Sequence, residues 1–161
     1  MSTSPTIRAA HRDDIATLTA LLTELGHDEG VEPTVTEESL RLAMFGTDMR
    51  MQLLSLVIET EGKIAGLVQY YWGYDLGTMS YGFHLADIVI TRKHRNKAFG
   101  KRLFLSLALL CSAEDGKWIS LTVLKNNPRA QAFYESLGMT KVAVDFFAIG
   151  PKALASLLNI G

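Results

Sequence analysis

The sequence predicts an α+β domain, a mixed sheet with helices on both faces in an α/β/α sandwich, formed by one domain over residues 1–161. Two observations predict it. At 161 residues the chain supports one hydrophobic core, since domains run to about 100–200 residues. Its hydrophobic pattern alternates between strand and helix periods in the order β-α-α-β-β-β-α-β-α-β, with no repeat, low-complexity tract or linker to divide it.

Thr6 to Ala9 reads as a short extended segment. Asp13 offers an N-cap to a helix whose apolar positions Ile15, Leu18, Leu21, Leu22 and Leu25 recur at helical spacing up to Gly26, the predicted stop. His27 to Val35, acidic and punctuated by Gly30 and Pro33, predicts an exposed loop, and Thr36 begins a second helix with Leu40, Met44 and Phe45 on one side. Leu53–Glu59, Ile64–Trp72 and Phe83–Ile90 predict strands. Glu61-Gly62 joins the first two as a hairpin, and Gly73–Gly82 is a loop. A buried helix runs from about Gly100 to Glu114, and a strand from Trp118 to Leu124. Pro128–Leu137 is a helix ended by Gly138, Thr140–Ile149 is one or two strands, and Pro151–Leu158 is a closing helix with proline in its first turn.

Composition narrows the function classes. Sixteen Lys and Arg against 17 Asp and Glu give a charge of −1, with 48% hydrophobic residues, which excludes a polybasic or disordered acidic chain. Two opposite fields hide in that sum. Glu24, Asp28, Glu29, Glu32, Glu37 and Glu38 form an acidic stretch without a base, whereas Arg92, Lys93, Arg95, Lys97, Lys101 and Arg102 form a basic one without an acid. The lone Cys111 closes no intramolecular disulfide, no Cys/His spacing suits a metal, and Met1–Ile7 is polar where a signal peptide would be apolar. The longest apolar run, Leu103–Cys111, is far short of the roughly 20 residues that span a bilayer. A cytoplasmic protein without metal or membrane partner is expected.

Chemistry concentrates in two places. After the strand ending Ile88-Val89-Ile90 comes the turn Arg95-Asn96-Lys97-Ala98-Phe99-Gly100-Lys101, which opens a helix. A helix N-terminus offers unpaired N–H groups and a positive dipole end, small residues let an anion approach, and the cations attract it. The plain alternative is a solvated basic turn. No Gly-Lys-Ser/Thr or glycine triplet marks a P-loop or a dinucleotide fold. The second place is Asn127-Pro128-Arg129-Ala130-Gln131-Ala132-Phe133-Tyr134-Glu135-Ser136-Leu137-Gly138-Met139, a Pro-started helix with an aromatic pair and a glycine stop.

On these two segments the chain resembles the GNAT superfamily of acetyl-CoA-dependent N-acetyltransferases. The family's Arg/Gln-x-x-Gly-x-Gly/Ala loop is met by Arg95–Gly100 with Ala98 in place of the first glycine. Its second motif is met by Asn127, Ala130, Phe133, Tyr134, Leu137 and Gly138, with Met139 for the final aromatic. A looser likeness to the diamine and polyamine branch rests on Gly66–Tyr74, Leu85–Ile90 and Phe147–Leu154. Where that branch carries a Glu-Asp pair this chain has Ala86-Asp87, and its final hairpin is shortened.

The resemblance implies acetyl-CoA as co-substrate, a small amine acceptor and a homodimer. It implies that Ile88, Val89 and Ile90 run beside the pantetheine, with an N–H near Val89 or Ile90 on the oxyanion. The diphosphate would lie on Arg95, Asn96, Lys97, Ala98, Phe99, Gly100 and Lys101, and Asn127, Arg129 and Ala130 would touch the cofactor. Tyr134 would protonate the leaving thiolate. His84 and Asp87 are the candidate bases; strand alternation predicts opposite faces for them, with His84 sharing the face of Ala86. The ordinary readings are a packed strand histidine, a loop-bonded carboxylate and a packed helix tyrosine.

The acidic stretch suits a cationic acceptor, and Tyr70, Tyr71, Trp72, Tyr74 and Tyr81 suit a cation-binding channel. A peptide or ribosomal N-terminus or an aminoglycoside is the alternative acceptor. Two further readings are a catalytically silent acyl-CoA-binding module, to which the lost glycine and carboxylate point, and nucleic-acid binding by residues 92–102. Near-neutral charge elsewhere disfavours the latter.

Overall fold

Four antiparallel strands and one short parallel strand form a sheet in chain order: β1 (Thr6–Ala9), β2 (Leu54–Thr60), β3 (Lys63–Asp75), β4 (Ser80–Ile90) and β5 (Ile119–Ser120). A computed structural model describes residues 4–47 and 52–158, so the polar start falls in part outside the described residues. The chain divides into two units, Met1–Thr122 and Val123–Gly161. The first holds the sheet with α1 (Ile15–Glu29), α2 (Glu37–Phe45) and α3 (Phe99–Ala113). In the second lie α4 (Pro128–Ser136) and α5 (Pro151–Leu158).

Alternation along the strands builds two apolar faces. Val57, Leu67 and Val89 pair across β2, β3 and β4 and pack under Ile15, Leu18 and Leu21 of α1 and Leu40 and Met44 of α2. The opposite positions Leu56, Ile58, Val68, Tyr70, Phe83 and Leu85 are buried as well. Over them lies α3, which packs on β2, β3 and β4 and buries Leu103, Phe104, Leu107 and Cys111. Helices therefore cover both faces of the mixed sheet, as the periodicity predicts.

Several boundaries differ from expectation for identifiable reasons. Arg12–Asp14 forms a 3₁₀ turn, so α1 begins at Ile15 rather than after Asp13. The Asp14 carboxylate accepts from the His11 N–H and from Arg8 (both 2.7 Å), and Arg8 also reaches Glu59 at 2.6 Å, pinning the turn to the sheet edge. Gly26 does not end α1. The helix runs on to Glu29, Gly30 takes the left-handed conformation (φ 71°), and the Val31 N–H returns to the Gly26 carbonyl at 2.9 Å. Asp28 and Glu29 thus sit on a helix rather than a loop.

The Glu61-Gly62 turn has positive φ at both residues (53° and 71°), as a tight two-residue hairpin requires. The predicted loop 73–82 is instead mostly strand: Tyr74 pairs with Tyr81, and only residues 76–79 turn. Gly82 and Gly73 make room for Trp118, since a Cβ at Gly82 would collide with the indole and one at Gly73 would stand 2.7 Å from it. The indole N–H donates to the Ser80 carbonyl at 3.2 Å. The strand predicted over Trp118–Leu124 shrinks to Ile119–Ser120, paired with Phe83 and His84. Residues 140–149 form no strand among the described residues, and Val142, Val144, Phe146 and Phe147 are exposed there. Alternating apolar residues give a strand only where an edge pairs with them.

Candidate active site

β4 carries both candidate bases, and a bulge decides where its side chains go. Gln69 pairs with Asp87 but Tyr70 pairs with Leu85, so Ala86 is left without a partner. One extra residue reverses the alternation beyond it. His84, opposite Tyr71, and Asp87, opposite Gln69, therefore share the face covered by α1 and α2, where the Gln69 amide lies 3.9 Å from Met44 Sδ. This corrects the expectation that they oppose one another and that His84 follows Ala86. The two candidate bases stand on one side of the sheet.

Their surroundings shift both away from their ordinary protonation. Nδ1 of His84 lies 3.1 Å from Ser120 Oγ and its ring 4.9 Å from that of Tyr71. Desolvation holds the imidazole below its ordinary range, hence neutral at pH 7. Asp87 is half-buried, and desolvation pushes its carboxyl up. Glu29, exposed as a residue at the end of α1, is raised too, first by desolvation of its carboxyl and then by the charge of Asp87. The charge of Asp87 is thus felt at the helix end that carries Glu29. Glu29 belongs to the acidic stretch, but its link to Asp87 needs the last turn of α1.

The five aromatics do not line one channel. Tyr70, Trp72, Tyr74 and Tyr81 share the α3 side, with Tyr70 and Trp72 on Phe83 (4.6 and 4.4 Å) and Tyr74 on Tyr81 (4.7 Å). Only Tyr71 faces the side of His84. An open hollow lined by Tyr74, Asp75, Trp118 and Ser120 lies toward the far end of the β3–β4 hairpin from Ile90.

Beyond Ile90 the chain makes the turn Arg92–His94 and enters α3. Asn96 (φ 65°) and Ala98 (φ 60°) are both left-handed, a conformation costing roughly 1–2 kcal/mol in a residue with a Cβ. Phe99 is buried, and its ring stacks on His94 at 5.6 Å. The N–H groups of Phe99, Gly100 and Lys101 have no backbone acceptor among the described residues outside the helix, the state expected of a first helical turn.

The six bases of this region divide. Arg95 Nε donates to the Ile90 carbonyl at 3.1 Å, and its Nη2 lies 2.6 Å from Asp28. Arg92 meets Asp28 at 2.5 Å and Glu24 at 3.3 Å, and Arg102 donates to the Pro5 carbonyl. Lys97 and Lys101 are exposed at the helix entry. The acidic and basic stretches, read from the sequence as separate fields, therefore meet, and Arg95 braces the turn instead of pointing freely at an anion. Ile88, Val89 and Ile90 pair with β3, but β5 meets β4 only at Phe83 and His84, so among the described residues no strand pairs with the other edge of β4 from Leu85 to Ile90.

In the second unit, Asn127 caps α4, its Oδ1 accepting from the Ala130 N–H at 3.1 Å. That oxygen is occupied by the cap. Arg129 is exposed, Tyr134 is buried with its ring 5.2 Å from Phe133, and Gly138 ends the segment at φ 87°. The family model of the acetyltransferase (GNAT) family matches residues 19–139. The chain belongs to the GNAT acetyltransferase family.

No curated protein sequence matches the chain. Solved structures share its fold. An integron cassette protein from V. cholerae superposes at TM-score 0.81 with 18% identity, covering 97% of this chain and 98% of its own. An aminoglycoside acetyltransferase from an uncultured soil metagenomic sample, solved with sisomicin, gives 0.72 at 15% identity over 90% and 95%. A ribosomal-protein-alanine N-acetyltransferase from Brucella melitensis gives 0.76 at 16% identity over 92% and 100%. Among the described residues of this GNAT chain no group of three or more His, Cys, Asp or Glu is placed to hold a metal, and no helix is long and apolar enough to cross a membrane.

Proposed function

We propose that the chain is an acetyl-CoA-dependent N-acetyltransferase that acetylates a small cationic primary amine by direct attack within a ternary complex. The observation that carries this reading is the bulge at Ala86, which puts His84 and Asp87 on one face just before an anion-ready helix entry. On this reading the N–H groups of Phe99, Gly100 and Lys101 and the ammonium groups of Lys97 and Lys101 hold the diphosphate. The adjoining edge of β4 at Ile88–Ile90, against which no described strand pairs, receives the pantetheine arm, and an N–H near Val89 or Ile90 donates to the carbonyl oxygen. Asn127, Arg129 and Ala130 complete the donor contacts as the resemblance implies.

A free amine of pKa near 10.4 is only about four parts in ten thousand neutral at pH 7, so a base must take its proton. His84, neutral and bonded to Ser120, takes it; Asp87 and Glu29 hold the cationic end of the acceptor. Tyr134 returns a proton to the departing sulfur. The acetyltransferases of this fold named for aminoglycosides and ribosomal-protein alanine support an amine nitrogen as acceptor.

A homodimer, supported by the exposed row Val142, Val144, Phe146 and Phe147, and a cytoplasmic location, supported by the free buried Cys111, complete the proposal. The silent acyl-CoA-binding reading draws on Ala98 at its left-handed position and the missing carboxylate at Ala86. The donor is tested by melting: acetyl-CoA at about 100 times its Kd should add about 2.7 kcal/mol of stability. That corresponds to about 5–10 °C at roughly 2–4 °C per kcal/mol. No rise at millimolar ligand would remove the donor from the account.

A further inference from the structure

Two left-handed residues with side chains, Asn96 and Ala98, lie two positions apart at the entry to α3. Such a turn persists only where its neighbours over-determine it. Downstream it is held by buried Phe99 and its stack on His94, whose Nδ1 lies 2.7 Å from Thr91 Oγ1. Upstream the holding group is Arg95. Its guanidinium is fixed at one side by the Ile90 carbonyl (3.1 Å) and at the other by Asp28 (2.6 Å), with Glu24 at 3.6 Å. Arg92, three residues earlier, reaches the same two carboxylates. Asp28 is exposed as a residue, though within the pair its side chain and that of Arg95 each keep only 26% of their surface exposed, so it is the two-point geometry and not burial that fixes the guanidinium. Its two charged fork contacts on Asp28 keep that carboxyl below its ordinary range.

We propose that Asp28 of α1, acting through Arg95 and Arg92, is the positioning residue that holds the strained turn Asn96–Ala98 in the shape that presents the α3 N-terminus to the donor's diphosphate. It touches neither donor nor acceptor. It rests on the donor reading above for its ligand, but not for the state of the turn. A glycine at 98 carries no left-handed cost and needs no clamp. The substitution Ala98→Gly should therefore tighten CoA binding more in Asp28→Asn than it does in the parent, a non-additive rescue that a simple gain of fold stability would not predict.

The experiment measures CoA binding to the intact chain by calorimetry, and hydrogen exchange of amides 96–101 without ligand. Asp28→Asn should raise the Kd for CoA about tenfold, the equivalent of relieving one such strained residue, and speed exchange across the turn. Asp28→Glu should recover most of the loss. Arg95→Gln should match Asp28→Asn, and the double variant should be no weaker than either single one. Asp28→Asn with Ala98→Gly should bind within about threefold of the parent.

An unchanged Kd in Asp28→Asn overturns the proposal, as does a double variant with Ala98→Gly that stays as weak as Asp28→Asn. Tighter binding overturns it as well, since the acids would then be competing with the diphosphate for the arginines. If the parent chain does not bind CoA, the donor reading falls, and exchange at 96–101 alone decides the clamp. Arg95→Gln with Ala98→Gly carries the same comparison should Asp28→Asn fail to fold.

Discussion

Asp87 is a residue whose ionisation the fold resists. Its carboxyl pKa is raised above the ordinary 3.8 by desolvation, so the folded state favours the proton and stability falls as pH rises from 3.8 through the folded value. Above the folded value that cost is fully present. Asp87→Asn should therefore melt higher than the parent at pH 8, by about 2–4 °C for each kcal/mol relieved, with no gain near pH 3. The same variant should lose affinity for a cationic acceptor. A lower melting temperature at pH 8 would show that the carboxylate is held by partners instead.

His84 shifts the other way. Its pKa lies below 6.5 through desolvation, so the imidazole is neutral at pH 7 and gains its proton only as pH falls through the lowered value. If it is the base, kcat should decline along that acid limb, and His84→Gln should cut kcat about 100-fold and abolish the limb. Tyr134→Phe should lower kcat by a similar factor while the CoA Kd stays within about twofold, the separation expected of a general acid.

At the scale of elements, the helix entry and the hairpin tip make opposite demands. Lys101 sits in the first turn of α3, where a cation opposes the helix dipole by about 0.3–1 kcal/mol. Lys101→Gln should therefore raise the ligand-free melting temperature slightly while weakening CoA binding, a trade that a purely structural lysine would not make. At the hairpin tip, Gly82→Ala would drive a methyl into the Trp118 indole. Overpacking of this kind costs about 1–3 kcal/mol, read as a lower denaturant midpoint with an unchanged slope.

These elements also show what sequence could and could not reveal. Apolar spacing at Ile15, Leu18 and Leu21 and the turn residues Glu61-Gly62 are local signals, and the helix and hairpin stand where they point. The bulge at Ala86 is not local. It exists only in the register between β3 and β4, which is why alternation alone misassigned the faces of His84 and Asp87. The clamp on Arg95 escapes sequence for the same reason, since its carboxylate lies 67 positions away. Gly26 misleads because a glycine can mark a close approach, here to Pro33 with 3.0 Å left for a Cβ, as well as a helix end.

For the whole molecule, the charge of −1 is a sum over groups with different tasks. Glu24 and Asp28 are paired with Arg92 and Arg95, and on the proposed reading it is Glu29, Asp87 and the lysines at the α3 entry that meet ligands. Exposed Val142, Val144, Phe146 and Phe147 form an apolar row along a stretch that pairs with no strand among the described residues. Sedimentation should find a dimer, and Val144→Asp with Phe146→Asp should return it to a monomer; a monomeric parent would leave the row unexplained by self-association.

Acetyl transfer to a cationic amine is tested by thiol release from acetyl-CoA over a panel of diamines, polyamines, amino acids, aminoglycosides and N-terminal peptides. Turnover with the small cationic amines, lost in His84→Gln and Tyr134→Phe, is the predicted result. Tight CoA binding with no thiol released by any amine would contradict it and identify a silent acyl-CoA-binding member of the GNAT family.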